Sequence, residues 1–454
     1  MHLVLENHGK NLIHLWKGTY KGLDEGKERY VIAEGAWVQI GLETAASSAT
    51  IPSSFGRRTP NIWTEQHLFT AEDYAHWFLY VAPFVLKDRF PSRKIYKHFM
   101  LFHSIVRTTI QFSITKEEVN LLRETAITYV QQYEKLYYQG AAEHLSTCPL
   151  TLHALLHLPD DIEKNGPPCM NWSFVMERWC GRLLPAIKSR VYPYKSLTRQ
   201  QLAIAQENSI LAQYDLFDVI HGPTVDPDDS RCREEILSEG MCSCRLYALK
   251  LISTAPASIL RSPCNKDYVP DASLRRKIAI YFTNVYLKPF HEIIRWLPEV
   301  MPRWGKSRIA GGGDKVCTSW AQSRRKNYRD ASFVRYEVAV DSNPRVRRKT
   351  PLIKQICYGI LYEILVCTLP TSNFLGTDAP TTHVLALVSD CGAHDNAALT
   401  PVSFTSLSET TQIIALASVS SVCGRFCYGT ASPRWAIVDR SIELARPIFD
   451  VDDD

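Results

Sequence analysis

The chain of 454 residues contains no apolar run near the roughly 20 residues that a membrane-spanning helix needs. Its opening stretch, MHLVLENHGKNLIHLW, has neither a basic n-region nor a small-residue cleavage site, so no secretory signal is read there and no membrane partner is expected. GxSxG, HExxH and a GxGxxG behind a strand are also missing, which removes the common hydrolase, zinc-peptidase and dinucleotide-binding readings. Gly311-Gly312-Gly313 is not followed by the Gly-Lys-Ser/Thr of a phosphate loop and reads as a flexible turn. No CxxC pair occurs among the thirteen cysteines. The closest groupings are Cys242-x-Cys244 and Cys423-x3-Cys427, so the expectation is free thiols in a reducing compartment, with no metal ligands assigned. No Cys and His sit at a spacing that marks a nucleophile and its base.

What is present is an ordinary globular composition, 45% hydrophobic and 22% charged. At roughly 150 residues per domain, the length suggests two or three domains. The net charge of +5 is unevenly placed. Arg303 to Lys349 holds thirteen Lys/Arg against four Asp/Glu, a net of +9, which leaves −4 for the rest. Such a block suits a polyanion such as nucleic acid, or else a solvated linker.

Residues 1–20 read as a helix ended by Gly18 and Gly22, and Thr44 to Pro60 as a long surface loop. Residues 70–158 read as all-helical. Thr70 with Asp73 caps one helix, and Thr115 with Glu118 makes a capping box for another that runs to about Tyr138. His153 and His157 lie four apart on one helix face. They suit a metal pair, or histidines that are buried or hydrogen-bonded, and the second reading is preferred because no Glu follows the first His. Helices are expected over 198–214 and 275–296, with an acidic, proline-containing linker over 222–240. Beyond residue 300, SFVRYEVAV, CYGILYEILVCTL, THVLALVSD and PRWAIVDRS are strand signals. The acidic end, DVDDD, reads as a frayed tail.

The stretch GPPCMNWSFVMERWCGRLLPAIKSR, Gly166 to Arg190, reads as a mostly core helix that carries the lone acid Glu177. With HALLHLPDDIEKN before it, this region resembles the one that follows the catalytic core of CACTA (En/Spm-type) transposases, in particular their fungal relatives. The matching residues are His157-Leu158, Gly166-Pro167, Trp172, Glu177-Arg178-Trp179 and Lys188-Ser189-Arg190. MHLVLENHGKNLIHLWKG, YKHFMLFHSIV, IQFSITKEEV, YEKLYYQ, FVRYEVAVDSN and WAIVDRS extend the likeness over most of the chain.

The resemblance implies an RNase H-like, DDE-type DNA transposase, in which two Asp and one Glu hold two divalent metals for phosphoryl transfer. Glu177 is then the candidate third acid, or else a structural carboxylate paired with an Arg. The part of the family core that carries both Asp lies upstream of the Met that is Met1 here, and Asp73, Asp160 and Asp161 do not match catalytic positions. The expectation is therefore a C-terminal portion that is catalytically incomplete, with no cofactor of its own and Mg²⁺ needed only by a complete transposase. A non-enzymatic DNA-binding or interaction module, and a truncated frame that does not fold, stay open beside it.

The expected fold class is α+β. Residues 1–220 form a partial RNase H-like region with a helical insertion, 221–304 a linker and helical segment, and 305–454 a small β-rich domain for which a barrel is one arrangement. Candidate nucleic-acid contacts are Lys188, Arg190, Arg324, Arg325, Lys326, Arg329, Arg345, Arg347, Arg348 and Lys349, with Trp304, Trp320 and Tyr328 as stacking aromatics. The implied partner is DNA at transposon ends, with homo-oligomers suited to paired ends. Nuclear location follows from the family, and RVRRK, Arg345 to Lys349, resembles an import signal.

Overall fold

The structure is a computed structural model that describes residues 2–23, 28–214, 235–237, 258–309, 314–322, 329–341, 352–430 and 432–441; the side chains at 2, 174, 175, 177, 178, 182, 212, 235–237, 341 and 352 lie outside that description.

The first part is helical, with α1 (Lys10–Lys17), α2 (Glu34–Ser47), α3 (Ala71–His76), α4 (Ala82–Val85), α5 (Arg93–Thr109), α6 (Lys116–Tyr133), α7 (Leu150–His153), α8 (Leu158–Asn165), α9 (Phe174–Leu183) and α10 (Pro193–Gln213). Local chemistry sets several boundaries. Gly18 closes α1 at φ +66°, a left-handed conformation that glycine adopts without a Cβ penalty. Thr115 with Glu118 forms the capping box read from the sequence, and Thr70 with Asp73, read as a cap, also forms a full capping box. Tyr129, Tyr133 and Tyr137 are fully buried in one stripe. His98 stacks on Tyr129 at 4.3 Å, and the Trp16 indole donates to the Tyr137 hydroxyl at 3.0 Å.

The stretch from Thr44 to Pro60 is not the expected surface loop. Its first residues complete α2, and Ile51, Phe55 and Thr59 are buried. Apolar residues spaced singly through a polar stretch are enough to pin it to the body, although they give no periodic signal.

The second part is a sheet with two helices. The strands are β1 (Glu235–Leu237), β2 (Ser258–Asn265), β3 (Arg303–Ile309), β4 (Lys315–Cys317), β5 (Phe333–Asp341), β6 (Leu352–Leu369), β7 (Thr381–Asp390), β8 (Ser403–Phe404), β9 (Thr411–Ala415), β10 (Val419–Val422), β11 (Gly424–Tyr428) and β12 (Arg434–Val438). All pairings are antiparallel. One sheet runs β1-β2-β3-β6-β5-β10, with β4 against β3, β7 against β6 and β9 against β7; a second runs β11-β12-β8. Among the described residues these sheets close no barrel. The segment read as linker and helix supplies β2 together with α11 (Ala272–Tyr286) and α12 (Phe290–Trp296). The single helix expected over 275–296 breaks at Leu287, which has φ +53°, and restarts behind Pro289.

Helices and sheet share one core, in which Trp16, Trp77 and Phe99 belong to the same buried cluster as Trp304, Val334 and Leu361. Phe84 packs on Phe426 with ring centroids 5.8 Å apart, and the Gly429 amide donates to Glu43 at 3.0 Å. The mixed α+β class holds, and no described helix is long and apolar enough to cross a membrane.

Candidate nucleic-acid interface

The segment around Glu177 is laid out on α9 and the turn that follows. The Glu177 and Arg178 side chains lie outside the described residues. Their described neighbours face solvent rather than a core: Met176 is 63% exposed and Trp179 50%. This corrects the core reading of the helix. Met176, Trp179, Cys180 and Leu183 do fall on one side of the helix, as in a core-facing stripe, but no other described element covers that side at Met176, Trp179 and Cys180, which are exposed.

A compact turn then presents the next basic residues. The Lys188 amide donates to Ser196 Oγ at 2.9 Å, Ser196 Oγ donates to the Ala186 carbonyl at 3.2 Å, and the Tyr192 amide donates to Ser189 Oγ at 3.0 Å. Pro193 opens α10, where a missing amide hydrogen costs nothing. The turn leaves Lys188, Arg190, Lys195 and Arg199 exposed, and sets Tyr192 and Tyr194 beside them at 66% and 82% exposure. Between Glu177 and Glu207 there are six Lys/Arg and no Asp/Glu. Sequence reading assigned Lys188 and Arg190 here and missed Trp179, Tyr192, Tyr194, Lys195 and Arg199. The acid-free run was the signal that could have found them.

The block from Arg303 to Lys349 divides. Arg324, Arg325, Lys326, Tyr328, Arg345, Arg347, Arg348 and Lys349 lie outside the described residues. Arg329 is directed into the fold. Its Nε and Nη1 donate to the Ile51 and Gly56 carbonyls, both at 2.6 Å, so two of its donors hold the 51–56 segment in place. Arg303 is likewise internal, pairing with Glu363 at 3.2 Å between the rings of Tyr268 and Trp320. Trp304 is buried, which takes it out of the stacking set. Exposed basic residues of the block stand on one sheet face: Lys306 and Arg308 on β3, with Lys315 of β4 directly opposite Arg308. Arg261 of β2 pairs in register with Lys306 on that same face. Like charges opposite one another weaken a strand pair, and an anion lying across them relieves the repulsion.

Two of the three acids set aside in the sequence have structural partners, and the third, Asp161, is exposed. Asp73 caps α3 and pairs with Arg57, and Asp160 pairs with Arg123 at 2.6 Å. His153 and His157 are exposed and meet each other at 3.1 Å, so they are hydrogen-bonded but not core. Among the described residues, one group gathers three metal-ligating side chains: Cys357, Asp390 and His394. Cys357 Sγ lies 3.6 Å from His394 Nδ1. Burial, and then the Asp390 carboxylate, push the Cys357 thiol up to about 12, the wrong direction for an activated nucleophile.

Comparison of the chain with protein families, with curated proteins and with solved structures found no match.

Proposed function

We propose that this protein binds DNA as a transposase-derived, catalytically incomplete module, acting in the nucleus. The observation that carries the binding reading is the acid-free segment from Arg178 to Gln206, which displays Lys188, Arg190, Lys195 and Arg199 among exposed Trp179, Tyr192 and Tyr194. Cations that track phosphates, interleaved with flat rings on which bases stack, are the parts a single-stranded or unwound site uses. The basic face of β2, β3 and β4 offers a second phosphate track. The CACTA origin rests on the ordered motif set. The absence of cutting rests on the expectation that Glu177 alone cannot hold two divalent ions against their mutual repulsion.

A salt titration tests the binding. Log affinity for single-stranded and duplex DNA should fall linearly with log salt, with a slope near −0.7 (single-stranded) to −0.9 (duplex) per phosphate contacted. Replacing Lys188 and Arg190 together by Ala should flatten the slope by about 1.4 on single strands to about 1.8 on duplex. Tyr192→Ala and Tyr194→Ala should each cost about 1–3 kcal/mol without changing the slope. A flat salt response, or no binding at low salt, refutes the reading. Metal-dependent nicking that disappears in Glu177→Ala refutes the incompleteness.

A further inference from the structure

The strand register assembles a site that no sequence spacing announces. Tyr336 of β5 is paired with Cys357 of β6, and Gly359, two residues further along β6, is paired with Asp390 at the end of β7. Side chains two apart on a strand share a face, so Tyr336, Cys357 and Asp390 stand together on one side of the sheet. Gly359 is required between them, because a Cβ there would lie 2.1 Å from the Ser389 carbonyl oxygen. The chain then turns at Gly392, φ +72°, and returns His394 over the same face. Cys357, Asp390 and His394 open into a cleft of about 280 Å³ lined also by Val338, Val340, Gln355, Thr410 and Gln412.

We propose that Cys357, Asp390 and His394 form a mononuclear site for a divalent transition metal of the Zn²⁺ class, with its fourth position open to the cleft. The three ligand atoms lie within 4.8 Å of one another. A tetrahedral ion with bonds of about 2.0–2.3 Å needs ligand–ligand edges of about 3.3–3.8 Å. The 3.6 Å from Cys357 Sγ to His394 Nδ1 already fits such an edge, and the exposed His394 has room to close the rest.

The outer contacts are those of an oriented ligand. One Asp390 oxygen accepts from the Tyr336 hydroxyl, which in turn accepts from Gln412 Nε2 at 3.2 Å, and the other oxygen accepts from the Gly392 amide. A sulfur, an imidazole and one carboxylate select a borderline-soft ion over Mg²⁺ or Ca²⁺, which prefer all-oxygen sites. On binding, the Cys357 proton passes to solvent as the sulfur–metal bond forms. Thiolate and carboxylate together then balance the dication.

The test uses the full chain, stripped with a chelator and titrated with Zn²⁺ by calorimetry and with Co²⁺ by absorption. One equivalent should bind, and Co²⁺ should show a thiolate-to-metal charge-transfer band. Cys357→Ser and His394→Ala should each weaken Zn²⁺ binding about 100-fold or more, Tyr336→Phe should weaken it about 10-fold, and the Co²⁺ band should vanish in Cys357→Ser. His394 is exposed, so His394→Ala decides the matter if Cys357→Ser does not fold. Equal Zn²⁺ affinity in the wild type and His394→Ala, no uptake by the wild type, or displacement of Zn²⁺ by millimolar-range Mg²⁺ would each overturn the proposal.

Discussion

Acidification should unfold the helical part of this protein through its buried histidines, at a pH set by how far their imidazoles are held from water. His8 and His98 are fully buried and His103 is 5% exposed. Burial lowers His8 from 6.5 to about 3, with a smaller contribution from His98, and lowers both His98 and His103 to about 4. The His98 Nε2 hydrogen is donated to the Tyr129 carbonyl at 3.1 Å, and its Nδ1 has no partner among the described residues. Protonating that nitrogen creates a desolvated cation against the face of Tyr129 with nothing to accept its hydrogen.

The folded-state values lie below the unfolded one, so the unfolded chain takes up more protons as the pH falls. The stabilisation is complete above about pH 6.5 and is lost progressively towards about pH 4. Each histidine withdraws up to about 1.4 kcal/mol per pH unit in that window, so the three together withdraw about 6 kcal/mol by pH 5 and about 9 kcal/mol by pH 4. Against a total stability of about 5–15 kcal/mol, the loss is large enough to place the acid midpoint near pH 4–5. The assay is urea unfolding, followed by fluorescence of the buried Trp16, Trp37 and Trp77, at about pH 7.5, 6.5, 5.5 and 5. His98→Phe keeps a ring against Tyr129 and removes one titrating group. Whatever it costs near neutrality, it should recover about 2 kcal/mol relative to wild type by pH 5. A wild-type-minus-variant difference that stays the same across the series refutes the reasoning.

Other outcomes follow from single contacts. Arg329→Ala should cost about 2–3 kcal/mol in urea unfolding, since two charge-assisted bonds to the Ile51 and Gly56 carbonyls are lost, while the salt dependence of DNA binding stays unchanged. Gly359→Val should destabilise by about 3 kcal/mol or more and widen the β6–β7 pairing, because its Cβ collides with the Ser389 carbonyl. A wild-type melting temperature in that variant counts against the close approach. Thr115→Ala should cost about 1 kcal/mol through the lost cap of α6, with hydrogen exchange rising first at the Glu118 amide.

Much of the secondary structure could be read from the sequence because its signals are local. A capping box needs four residues; Thr115–Glu118 forms as read, and Thr70–Asp73, read as a cap, forms a full box. The strand signals in SFVRYEVAV and THVLALVSD lie in β5 and β7 because alternation is fixed by the pleat. What could not be read was which face each element buries. The Glu177 helix has enough apolar residues for a core helix, yet Trp179 and Met176 face water, since burial depends on neighbours from distant sequence. Arg329 looked like a phosphate contact only because its neighbours Arg324, Arg325 and Lys326 make a basic run. Its guanidinium is directed 273 residues back along the chain, to Gly56.

The same limit explains why the Cys, Asp and His group escaped notice. Cys357 and Asp390 are 33 residues apart in sequence, a separation with no motif attached to it. They meet because β6 and β7 are antiparallel, and because the missing side chain of Gly359 lets the end of β7 approach β6 closely. Burial and the neighbouring Asp390 carboxylate both disfavour the Cys357 thiolate. A divalent ion reverses the sign of that interaction, making adjacent negative ligands an advantage. Zn²⁺ should therefore raise the thermal midpoint of the wild type and leave that of Asp390→Asn almost unchanged, although both chains keep the same fold.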